Sequence, residues 1–174
     1  YDLGGNRLSL GLDGQVFVTY GYDDASRLVS ITRGGQVFGF GYDAANRRTS
    51  LSYPNGVVTS YGYDVASRVL DIHAQKAAQT VARSEYSYDA SGNRLNKAHP
   101  EYAETYRYDD LYRLTGVERV GATPPGRWGY GYDAVGNRLW EQRDEAVTSY
   151  SYDERNRLLS TAVGGRMLWR GALS

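Results

Sequence analysis

The dipeptide Tyr-Asp begins at Tyr1, Tyr22, Tyr42, Tyr63, Tyr88, Tyr108, Tyr132 and Tyr152, in steps of 21, 20, 21, 25, 20, 24 and 20 residues. Eight in-phase copies constrain the fold more than any other feature, because each must build the same small structure and bury its apolar surface against its neighbours. Two residues before the dipeptide stands a second ring: Tyr20, Phe40, Tyr61, Tyr86, Tyr106, Tyr130 or Tyr150. The aspartates are Asp2, Asp23, Asp43, Asp64, Asp89, Asp109, Asp133 and Asp153. Five residues after the tyrosine comes Arg27, Arg47, Arg68, Arg113 or Arg157. Six after it, where a Gly-Asn is fitted in, comes Arg7, Arg94 or Arg138. An apolar residue usually follows (Leu8, Leu28, Val69, Leu95, Leu114, Leu139, Leu158), a rule that Arg48 breaks.

Rings alternating with Gly or Ser have period two, so the run into each Tyr-Asp reads as a strand with one ring-bearing face. Asp13-Gly14, Gly34-Gly35, Pro54-Asn55-Gly56 and Gly164-Gly165 are tight-hairpin signals. Each copy should therefore supply two strands. One joint is the glycine turn and the other the Asp-to-Arg loop, with the extra residue of the Gly-Asn-Arg copies absorbed in the left-handed region. Residues 71–83, 96–104 and 116–127 read as extended loops, with a turn of helix within 74–82. The expected fold is all-β: an antiparallel hairpin meander of about 16 strands from eight copies, a curved strip of a spiral shell. It is read as one segment over 1–174, and since the sequence starts inside the motif it is expected to be an excerpt of a longer array. Propeller blades of two copies each would make odd and even copies differ. The Gly-Asn-Arg form falls in copies one, five and seven but not in copy three, so the alternation is not kept.

An aspartate closing a strand can accept amide hydrogen bonds from the loop it opens and pair with the arginine that ends the loop, so each copy should staple its own turn. Fifteen rings on one face, at about 150 Å² each, amount to roughly 2,000 Å² of aromatic surface, which soluble chains do not leave exposed. A cover over that face is therefore expected. Eight interchangeable constellations point to architecture, whereas a catalytic group needs an environment of its own. The chain is read as a non-enzyme.

Basic and acidic residues balance at 20 each, which gives no field for nucleic acid. There is no cysteine for a disulfide or a thiolate site. No apolar run approaches a membrane-spanning length and no phosphate-binding glycine loop occurs. Asp89 to Asn93 lacks the ligand spacing of a calcium loop, and His73 and His99 read as solvated loop residues. No catalytic, metal or cofactor site is assigned. Of the 20 basic residues only Lys76 and Lys97 are lysines; a bias to arginine suits stacking on rings and forked pairing with carboxylates.

The stretches GYDAANRRTS, SYDASGNRLNK, RYDDLYRLTGV, GYDAVGNRLW and SYDERNRLLS resemble the YD repeats of the Rhs family, which includes bacterial Rhs proteins, toxin-complex C components and wall-associated proteins. The resemblance implies a sheet strip that spirals into a hollow shell around a C-terminal toxin or effector. It implies a secreted or surface bacterial protein, with the remaining repeats of the parent chain and an enclosed toxin polypeptide as partners; the open sheet edges offer self-association as the alternative. No core-closing segment of the Rhs kind and no effector sequence is seen. A cell-surface adhesion or glycan-binding repeat module, with tyrosines and tryptophans as sugar platforms, is the alternative reading.

Overall fold

The computed structural model describes residues 1–121 and 124–164. Its strands are β1 (Ser9–Leu12), β2 (Gln15–Tyr22), β3 (Leu28–Arg33), β4 (Gln36–Tyr42), β5 (Arg48–Ser52), β6 (Val57–Tyr63), β7 (Val69–Lys76), β8 (Gln79–Tyr88), β9 (Arg94–His99), β10 (Tyr102–Tyr108), β11 (Leu114–Val120), β12 (Gly126–Tyr132), β13 (Arg138–Arg143), β14 (Ala146–Tyr152) and β15 (Leu158–Val163). Fifteen strands thus follow one another in chain order in one antiparallel sheet. A sixteenth strand, expected after Gly164, lies outside the described residues. Two compact units divide at Glu85 and Tyr86.

Three segments expected as loops are strands. Residues 71–83 form most of the β7–β8 hairpin, with Asp71 opposite Glu85 and Lys76 opposite Gln79. The expected helical turn within 74–82 is a two-residue hairpin turn in which Ala77 has φ 50°. Residues 96–104 and 116–127 belong likewise to β9–β10 and β11–β12. These stretches are polar and lack the ring alternation, but an exposed sheet satisfies its backbone groups by pairing whatever its side chains are.

All loops of the repeat have one length. Each strand after the loop begins six residues beyond the tyrosine, at Leu28, Arg48, Val69, Arg94, Leu114, Arg138 or Leu158. The Gly-Asn of three copies is therefore no insertion. Every copy holds the residue four after the tyrosine in the left-handed region: Ser26, Asn46, Ser67, Tyr112 and Asn156 at φ between 58° and 63°, and Gly5, Gly92 and Gly136 between 82° and 97°. Asparagine then occupies the next position, where the other copies carry arginine. The arginine of Gly-Asn-Arg and the rule-breaking Arg48 share the first strand position with Leu28 and Leu114.

A bulge accompanies six of the loops. Tyr22 pairs with Leu28 and Gly21 with Ser30, leaving Val29 unpaired, and the same shift precedes Tyr42, Tyr63, Tyr108, Tyr132 and Tyr152. The shift keeps two faces distinct. One carries the rings with Ile31, Leu51 and Ile72 between them; the other carries Gly and Ser, with Ser30, Ser52 and Ser50 hydroxyls lying where a Cβ on Gly21, Gly39 or Gly41 would sit. In the second unit the Trp140 indole takes that place over Gly131.

Within each unit, contacts between elements run only between consecutive strands. Among the described residues no element lies over the ring face. The repeat rings are half-buried except for exposed Tyr1, and Val147 is the one buried apolar side chain among the described residues. Cohesion must then come from lateral contacts along the sheet.

Candidate functional site

The repeat constellation is built on the loop that each Tyr-Asp opens. Asp23 Oδ1 accepts from the amides of Ala25 and Arg27, and its Oδ2 accepts from Arg27 Nε at 2.7 Å. The backbone closes the same loop, Asp23 N donating to Arg27 O and Ser26 N to Asp23 O. Asp43 with Arg47, Asp64 with Arg68, Asp109 with Arg113 and Asp153 with Arg157 repeat this arrangement, at 2.6 to 2.7 Å between guanidinium and carboxylate. In the asparagine copies Asn6, Asn93 and Asn137 donate Nδ2 to Oδ2 of Asp2, Asp89 and Asp133 at 2.8 to 2.9 Å. An amide thus replaces the ion pair without changing the loop.

The arginines also reach forward. Arg27, Arg47 and Arg113 donate Nη1 to the carbonyl oxygens of Asp43, Asp64 and Asp133 in the next copy, at 3.0, 2.9 and 2.8 Å. Each guanidinium lies over the next copy's tyrosine, Tyr42, Tyr63 or Tyr132, 4.8 to 5.0 Å from the ring centre. Those phenols donate back to the carbonyls of Leu28, Arg48 and Leu114, as Tyr22 does to Arg7 and Tyr152 to Arg138. Arginines in the first strand position cap the other ring of the next copy: Arg48 over Tyr61, Arg94 over Tyr106 and Arg138 over Tyr150. Arg94 also lies over Tyr86, and Arg7 over Tyr1. Cation and ring therefore alternate along the sheet, each contact contributing about 0.5 to 1 kcal/mol where solvent reaches it.

All eight loop aspartates are held below the ordinary carboxylate range. The backbone amide of the loop-closing arginine is the main cause at Asp23, Asp43, Asp64 and Asp153, and the asparagine side-chain amide is at Asp2 and Asp89. At Asp109 and Asp133 partial burial pushes the other way, and the hydrogen bonds from Arg113 and Asn137 outweigh it. A lowered folded pKa stabilises the fold fully above the unfolded value of 3.8 and ceases to do so as pH falls through the folded values. The denaturation midpoint should hold from pH 7 to 5 and drop steeply below about pH 4. A midpoint flat down to about pH 2.5 would show that the staples carry no stability.

One cluster has no counterpart in the other copies. On the ring face of the second unit, Glu104 is 7% exposed and its Oε1 accepts from Arg119 Nε at 2.8 Å and Nη2 at 2.6 Å. Tyr106 donates its hydroxyl to Glu104 Oε2. Arg119 is sandwiched between Tyr102 and Trp128, 5.0 and 5.2 Å from their ring centres, and Lys97 donates to the Tyr102 hydroxyl at 2.8 Å. Burial raises the Glu104 carboxyl, but the Tyr106 and Arg119 hydrogen bonds prevail and leave it lowered. Burial, helped by Glu104, pushes Tyr106 up to about 12. Of this cluster the repeat pattern marks Tyr106, and Lys97 and Trp128 stand out as a rare lysine and as a candidate aromatic platform; Glu104 stands two residues before Tyr106, so period two places a carboxylate among rings, where it needs a cation.

His73 and His99 lie in strands β7 and β9 rather than loops. His73 Nε2 shares a hydrogen bond with Thr80 Oγ1, and His99 stacks on Tyr102 at 4.6 Å. Among the described residues no group of His, Asp or Glu is arranged to hold a metal.

A sequence profile of the RHS Repeat matches residues 22–58 and 42–81. No curated protein matches the chain. Among solved structures, a chain of the Photorhabdus luminescens Tc holotoxin pore with a mutant TccC3 aligns at TM-score 0.70 and 19% identity, over 84% of this chain and 10% of that one. A chain of the TcdB2-TccC3-Cdc42 crystal structure aligns at 0.70 and 20%, over the same shares. A chain of TcdB2-TccC3 without hypervariable C-terminal region aligns at 0.69 and 20%, again over 84% and 10%. This chain spans about a tenth of the length of the chains it matches, and at such identity the likeness is one of fold.

Proposed function

We propose that this chain is an Rhs, or YD-repeat, segment, as the profile match over residues 22–81 supports, and that it forms part of the wall of a shell which encloses or presents a C-terminal toxin or effector, in a secreted or surface bacterial protein. The forward reach of Arg27, Arg47 and Arg113 carries this reading: each of these arginines helps close the loop of the next copy, so that neighbouring copies are fastened to one another as courses of one edge. The likeness in fold to chains of Tc toxin structures supports it. The role of the repeat residues is mechanical: strands supply the wall, stacked Tyr and Arg the cohesion, and Asp with Arg or Asn the loops.

Limited trypsin digestion of the full-length protein tests the enclosure. Its C-terminal polypeptide should stay intact in native buffer and be degraded once denaturant opens the repeats. Digestion of that polypeptide at the rate of a free domain would overturn the reading. A glycan array run in parallel should stay blank, and saturable binding to one sugar would favour an adhesion module instead.

A further inference from the structure

The relay of arginines along the loop edge is interrupted between copies five and six. In three of the copies that carry arginine, the guanidinium of Arg27, Arg47 or Arg113 lies over the next tyrosine and bonds the next aspartate's carbonyl, as Arg113 does with Tyr132 and Asp133. Copy five carries Asn93, whose amide reaches its own Asp89 and no further. In the other asparagine copies the amide still bridges to the next loop, Asn6 to Ser26 Oγ at 3.2 Å and Asn137 to Asn156 Oδ1 at 2.9 Å. The equivalent residue in copy six is Tyr112, and among the described residues Asn93 makes no bond to that loop. Arg94 cannot substitute, because it is committed to the ring face between Tyr86 and Tyr106.

A groove of about 530 Å³ opens at this place. Tyr108 and Tyr112 line it together with Asp89, Asp109 and Asp110; Arg107 is the one cation among its lining residues. We propose that the groove takes an arginine side chain presented by a polypeptide partner. The sibling copies display the bound arrangement within the same chain: a guanidinium flat over the tyrosine, with one nitrogen on the aspartate carbonyl. The same placement over Tyr108 brings the cation to the Asp109 carbonyl and among three carboxylates. Lysine fits less well, since a compact ammonium neither stacks on the ring nor forks to two acceptors. This does not depend on the array enclosing a cargo, and failure of the protease test leaves it standing.

Saturation-transfer NMR on the full-length protein, with acetyl-Gly-Arg-Gly-amide and its lysine counterpart as probes, tests the proposal. The arginine peptide should show saturable transfer to its side-chain methylenes at millimolar concentration, with the lysine peptide weaker by roughly fivefold. Asn93→Arg, which fills the groove from within as Arg113 does its own, should abolish the arginine signal. Equal transfer to both peptides, no saturable transfer, or an arginine signal that persists in Asn93→Arg would overturn the assignment. If that variant does not fold, Tyr108→Leu serves instead: loss of the arginine preference supports the slot and its retention refutes it.

Discussion

Replacing Tyr130 and Tyr132 together by alanine should lower the unfolding free energy by about 4 kcal/mol, measured by urea denaturation of the full-length protein. Both rings are half-buried in a sheet without a second layer, so their contribution is lateral. Tyr132 receives the Arg113 guanidinium at 4.9 Å and donates to the Leu114 carbonyl at 2.8 Å. Tyr130 lines, with Trp128, Val117 and Tyr106, a shallow cavity of about 160 Å³. Removing both rings strips the packing from one copy, takes the stacking surface from Arg113, which keeps its bonds to Asp109 and the Asp133 carbonyl, and leaves the Leu114 carbonyl without the phenol donor. Tyr132→Phe separates the terms: only the hydroxyl bond is lost, at about 1 kcal/mol. A double-alanine loss below about 1 kcal/mol would mean that backbone pairing alone holds the sheet and that the rings are ornamental to its stability.

What could be read from sequence was whatever depends on period and local chemistry. Alternation of rings with glycine and serine at residues 16–22 dictates a strand with a ring face, and Asp13-Gly14 dictates its hairpin turn, with both residues at positive φ. The match between Asp23 and Arg27 followed from loop chemistry in the same way. Alignment by residue type concealed the rest. Arg94 and Arg138 look like late copies of Arg27, yet the backbone counts positions from Tyr88 and Tyr132, and at the fifth position asparagine stands. The left-handed residue before it explains the choice of Gly92 and Gly136, and why Ser26 or Asn46 can replace them. Summed area says that the rings need shielding; arginines, eighteen of the 20 basic residues once Lys76 and Lys97 are set aside, supply part of it within the same layer. Glu104 was beyond reach for another reason. Its partner Arg119 lies opposite only through the register of β10 on β11, which no short stretch of sequence encodes.

That register leads to the second large effect. Glu104→Ala should cost about 3 kcal/mol, near the lower end for removing one partner of a buried pair because Arg119 keeps partial access to water. The penalty arises from what remains: Arg119 between Tyr102 and Trp128 without its acceptor, and a Tyr106 hydroxyl facing a small void. Glu104→Gln retains an acceptor and the volume and should cost about 1 kcal/mol. Glu118 supplies the control, since its pairs with Arg107 and Arg127 involve arginines more than half exposed, and Glu118→Gln should fall below about 1 kcal/mol. Glu104→Ala combined with Arg119→Ala should cost less than the sum of the two, because the second truncation removes the stranded cation. The pH dependence has a fixed sign: the Glu104 carboxyl is lowered in the fold, so its contribution is complete above the ordinary glutamate range and disappears as pH drops below it. Strict additivity of the two alanine substitutions would show that Glu104 and Arg119 do not act as a pair. The cluster would then be a chance contact on an otherwise uniform sheet.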